Sequence, residues 1–117
     1  MSKIEDRVCI KIRSSIIKDV SSTKELLCEA LCNKFQERAE FGLEKYKVTL
    51  EREDLSTLDW LKHLLEEVMD AINYIEVLLS IRKDVYLETL QNSYIEHIKY
   101  IETLIQLESL KKDKILL

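Results

Sequence analysis

Two pairs of acids stand out by their spacing. Glu37 and Glu40 occur in "FQERAEFGLEKY", and Glu67 and Asp70 in "DWLKHLLEEVMDAINYI". On a helix, residues three apart share a face, with Cβ atoms about 5–6 Å from each other. One such pair in a chain with 22 Asp and Glu reads as a solvated face. Two pairs brought to one level read differently, because four carboxylates in a partly buried place need a counter-cation. Oxygen ligands suit a hard cation. Mg2+ is expected where phosphates share the coordination sphere, with Mn2+ as a substitute. His63 lies one turn before Glu67, and Asn73 and Tyr74 about one turn after Asp70. Those groups could read a base or a sugar. Their plain alternatives are a surface histidine, a hydrogen bond inside a bundle and core packing.

The elements that must hold these residues read as helices. The chain has 117 residues with a single Gly, Gly42, and no Pro, so it lacks the residues that sheet turns lean on. That length predicts one domain, able to bury roughly two-thirds of its unfolded surface. Ile4, Val8, Ile12, Ile16 and Ile17 favour a helix over residues 3–18, although "VCIKI" alternates like a strand. Ser22 with Glu25 has the form of a capping box. It opens a second helix from about Thr23 to about Glu40, with Leu26, Leu27, Ala30, Leu31, Lys34 and Phe35 inward and Gly42 as its exit. "KYKVTLERED" reads as a loop, and Ser56 with Asp59 starts the third helix. Its stripe runs Leu61, Leu64, Leu65, Val68, Met69, Ile72, Ile75, Leu78 and Leu79. Arg82 and Lys83 suit its negative end, and Asp84 caps a fourth helix over about 85–113, with a seam of Leu87, Leu90, Tyr94, Ile98, Ile101 and Ile105. The expectation is an all-α, antiparallel four-helix bundle. Packed so, the second and third helices would bring the acid pairs face to face.

Composition narrows the function further. A net charge of −4 lacks the concentrated basic face a nucleic acid wants. No apolar run is long enough for a membrane span and no export signal is evident, so a cytoplasmic setting is expected. Three cysteines, Cys9, Cys28 and Cys32, suit a reducing compartment. Cys28 and Cys32 are one turn apart, half of a metal site at most, and read better as small buried hydrophobes.

The acid motifs resemble those of the MazG-like all-α nucleoside triphosphate pyrophosphohydrolases, whose signature is E-x-x-E followed by E-x-x-D. The likeness over about residues 35–80 is nearer to phage-encoded MazG-like proteins, with R-x-x-x-G-x-x-K-Y-G and then D-W-x-x-H-x-x-E-E-x-x-D. Arg38, Gly42, Lys45, Tyr46, Asp59, Trp60, His63, Glu66, Glu67 and Asp70 occupy those places, while Lys47 stands where the family has Gly.

The resemblance implies Mg2+-dependent hydrolysis of a (deoxy)nucleoside triphosphate, a purine one by the phage-type likeness, to the monophosphate and pyrophosphate. It makes Glu37, Glu40, Glu67 and Asp70 the metal ligands, and Glu40 the acid that orients or deprotonates water. Lys45 is the candidate for the pyrophosphate, with Lys62 and Arg52 behind it. Asn73, Tyr46, Trp60 and His63 are candidates for base and sugar, unless Trp60 anchors its helix instead. A homodimer or homotetramer in the host cytoplasm is implied. The competing reading is a non-catalytic helical oligomeric interaction module. A di-iron bundle would need Glu three residues before a histidine, which neither His63 nor His97 has. A triad hydrolase would need a Gly-flanked nucleophile, which is missing.

Overall fold

A computed structural model describes residues 3–16, 22–46 and 49–115, and every regular element among them is a helix. The four are α1 (Lys3–Ile16), α2 (Ser22–Tyr46), α3 (Thr57–Ile81) and α4 (Val85–Ile115). They form two compact units, Met1–Glu53 with α1 and α2, and Asp54–Leu117 with α3 and α4. None of the described helices is long and apolar enough to cross a membrane.

The second unit follows its sequence closely at the helix ends. Ser56 is the N-cap of α3: its Oγ accepts from the Asp59 amide and the Asp59 carboxylate accepts from the Ser56 amide, each at 3.1 Å. Two otherwise orphaned amides are thereby satisfied reciprocally. At the other end the Arg82 amide closes the helix onto the Leu78 carbonyl. Asp84 then opens α4, with Oδ1 accepting from the Tyr86 and Leu87 amides at 2.8 and 3.2 Å and Oδ2 from Arg82 at 3.2 Å. The Leu87 amide, assisted by Arg82 and the Tyr86 amide, holds the Asp84 carboxyl below its ordinary value. Ile75, Ile101 and Ile105 are buried between α3 and α4. Burial of a side chain of that size contributes about 1.5–3 kcal/mol. Around them Leu61, Leu65, Val68, Ile72, Leu79, Leu87, Tyr94 and Ile98 are half-buried, whereas Leu64, Met69 and Leu78 of the expected stripe and Leu90 of the expected seam are exposed, because two helices in contact cover only a narrow face of each other. Gln91 ties the pair together, donating to Glu76 at 2.9 Å and to the Ile72 carbonyl at 3.4 Å.

The first unit departs from expectation in two ways. The helix α2 does not end near Gly42 but runs through it to Tyr46, taking in the first residues of the expected loop. Nothing lies within 4 Å of where a Gly42 Cβ would be, so Gly42 answers to no close packing. The α1-facing side of α2 is also different. Cys28 is fully buried and Cys32 nearly so, joined by Cys9 and Ile12 of α1, whereas Leu26, Leu27, Ala30, Lys34 and Phe35 of the expected inner side are exposed. The reason is the size of the residues at the contact. Small thiols let two helices approach, and the large apolar stripe of α2 is turned away. The helix start at Ser22 agrees with the capping reading, while its capping side chain and residues 17–18 lie outside the described residues. Glu5 is buried, with one oxygen, Oε2, lacking any hydrogen-bond partner among the described residues.

Candidate functional site

Each acid pair stands on an outward face of its own helix pair. Glu37 and Glu40 are exposed on α2, and Glu67 and Asp70 are exposed in the middle of α3. The pairs belong to different units. None of the four takes part in a hydrogen bond or ion pair with another described residue, whereas on α3–α4 Glu66, Glu76, Glu96 and Glu108 all face polar neighbours. Their oxygens are thus open to a ligand, a property shared with Glu44 and Glu88. Within each unit, among the described residues, no three Asp, Glu, His or Cys side chains gather tightly enough to hold a metal. Carboxylate oxygens are the right donors for Mg2+, which is usually held through one or two carboxylates, with waters and substrate phosphates filling the rest of its shell.

The surroundings of the pairs are informative. Along α2 the outward line of Leu26, Ala30, Asn33, Glu37, Glu40 and Glu44 keeps a strict 4-3-4-3-4 spacing, and all six are exposed. Along α3 the line of Trp60, His63, Glu67, Asp70, Tyr74, Val77 and Ile81 keeps 3-4-3-4-3-4, and all but half-buried Trp60 are exposed. Each line follows one face of its helix with the spacing of a pairing seam. In each, the acids interrupt an otherwise largely apolar or neutral line.

Of the side chains expected to contact substrate, His63 sits with Nδ1 4.0 Å from Glu66 Oε2 and its ring edge-on to Trp60, centroids 6.3 Å apart. Those neighbours orient the imidazole beside Glu67. Asn73 is exposed, and Tyr74 is 68 % exposed and lies outside the α3–α4 core. Lys62 is exposed, and the side chain of Tyr46 lies outside the described residues. Lys45 has its ammonium 5.8 Å from the centre of the Phe41 ring, and the Arg38 guanidinium lies 5.2 Å from the same ring. Residues 38, 41 and 45 therefore make a basic and aromatic stripe alongside the acidic one. Phe41 is not among the residues that the sequence singles out, although the 3-4 spacing of Arg38, Phe41 and Lys45 places the three on one face.

No family model, curated protein or solved structure matches the chain.

Proposed function

We propose that the chain is a Mg2+-dependent nucleoside triphosphate pyrophosphohydrolase, converting a (deoxy)nucleoside triphosphate and water to the monophosphate and pyrophosphate. A purine deoxynucleotide is the substrate that the phage-type likeness favours. The observation that supports this best is that Glu37, Glu40, Glu67 and Asp70 are all exposed, with no hydrogen-bond or ion-pair partner among the described residues. The proposed assembly is an antiparallel four-helix bundle that works as a homodimer or homotetramer in the host cytoplasm.

In this reading Glu37, Glu40, Glu67 and Asp70 hold the metal. The chemistry such an ion would supply there is neutralisation of phosphate charge and a more acidic bound water. Glu40 orients that water and takes its proton. Lys45, with Arg38 beside it, offsets charge on the departing pyrophosphate. His63, Asn73 and Tyr74, on the seam or beside it, bound the space for base and sugar.

A second reading, a non-catalytic helical oligomeric module, draws on a different feature. Ile81, Val85 and Tyr86 form an apolar patch at the α3–α4 connection, and Ile81 is 76 % exposed. The readings part in one experiment. The purified protein is incubated with each dNTP and NTP with and without Mg2+, and the products are separated. Pyrophosphate and monophosphate from one or two substrates, lost in Glu37→Gln and Asp70→Asn, supports the enzyme. Orthophosphate alone would mean that a different bond is cut, and no turnover would favour the interaction module.

A further inference from the structure

We propose that Cys9 and Cys32 are an oxidisable pair whose disulfide staples α1 to α2. The two residues face each other across the core of the first unit. The Cys9 thiol donates to the Cys32 carbonyl at 3.9 Å, and the Cys32 thiol donates to the Cys9 carbonyl at the same distance. Each sulfur thus already reaches the backbone of the opposite residue. Bridging exchanges the opposing carbonyl for the opposing sulfur.

The third thiol does not compete on equal terms. Cys28 and Cys32 are four apart on one helix, which separates their Cβ atoms by about 5–6 Å, whereas a disulfide holds them at about 3.5–4.5 Å. Joining them would distort α2. No contact between Cys28 and Cys9 matches the reciprocal one, and Cys28 is fully buried.

The oxidant is a small disulfide of the glutathione type. The thiolate of Cys9, the least buried of the three, attacks one sulfur of the oxidant and expels the first glutathione thiolate. Cys32 then attacks the Cys9 sulfur of the mixed disulfide and expels the second. Both protein protons end on the two released glutathiones, so one disulfide is reduced as one is formed. Burial, and the Cys32 side chain beside it, push the Cys9 thiol up from its ordinary value. Less thiolate is present at neutral pH, so exchange quickens as pH rises. The staple fixes α1 against the same continuous helix that carries Glu37 and Glu40 one to two turns farther on.

The test uses the full chain equilibrated at about pH 8 in graded ratios of reduced to oxidised glutathione. Remaining thiols are then alkylated, and the protein is digested with trypsin and a Glu-specific protease, which separates Cys28 from Cys32 at Glu29. The expected product links the 8–11 peptide to the 30–34 peptide, leaves Cys28 alkylated, and forms equally in Cys28→Ala. Its helical signal should melt on the order of 10 °C higher, reversibly with dithiothreitol. Three alkylated thiols under native conditions, with bridging only in denaturant, would overturn the proposal. So would a link to Cys28 or a glutathione adduct that persists on Cys9.

Discussion

The two helix pairs solve the same packing problem with different residues. Between α3 and α4 the contact is made by isoleucines, both helix starts are capped by side chains, and a glutamine crosses the interface. Between α1 and α2 it is made by three cysteines and Ile12, while Leu26 and Leu27 remain outside and a glutamate is buried without a full set of partners. Large apolar side chains hold a pair by the area that they remove from water. Small ones hold it by proximity and leave the larger residues of the same helix free for another contact. Both units nonetheless leave large apolar side chains exposed, Leu26, Leu27 and Phe35 on α2 and Leu64, Met69 and Leu78 on α3.

The contrast is sharpest in the cores. Ile101→Ala should cost about 2–5 kcal/mol of unfolding free energy, because it empties a buried site lined by large neighbours. Cys28→Ala removes a single sulfur and should cost far less. Equal losses in chemical denaturation would erase the distinction drawn between the two interfaces.

Glu5 offers a change of opposite sign. A buried side-chain oxygen without a hydrogen-bond partner opposes folding, so Glu5→Leu should stabilise the protein, by about 1–3 kcal/mol. A lower melting temperature would mean that Glu5 has a cationic or hydrogen-bonding partner in the folded protein.

How much of this was legible follows from the same contrast. In the α3–α4 unit the Ser56–Asp59 box and the Asp84 cap could be read residue by residue, since local signals decide them, whereas Leu64, Met69 and Leu78 of the expected stripe and Leu90 of the expected seam are exposed. For α2 the strongest apolar pattern, Leu26 to Phe35, pointed to the side opposite α1, because hydrophobicity marks surfaces that want burial without naming what buries them. Gly42 misled for a similar reason: the intrinsic cost of glycine in a helix, about 1 kcal/mol, is small against the propensity of the residues around it. At the candidate site the helix faces of Glu37, Glu40, Glu67 and Asp70 were legible from spacing alone. The exposure of Tyr74 and the cationic flanks of Phe41 were not, as they depend on which face each helix spends on its partner.

A smaller effect concerns the caps of the second unit. The folded-state value of Asp84 is depressed below that of the unfolded chain, so its stabilising contribution is fully present above about pH 4 and is lost as pH falls through the folded value. Asp84→Asn should flatten the acid limb of the stability curve there and leave the neutral range less affected. An unchanged acid limb would show that the hydrogen bonds to Tyr86 and Leu87 carry no charge-dependent part.

The most direct measurement of the central claim is Mn2+ binding, followed by calorimetry or paramagnetic broadening, in the intact protein and in two double variants. One lacks Glu37 and Glu40, the other Glu67 and Asp70, each pair replaced by alanine. If both outward seams close on one cation, the wild type binds Mn2+ and either double variant alone abolishes tight binding, since each pair is half of the ligand set. Tight binding that survives in either variant, or a wild type that binds none, would contradict a shared metal site.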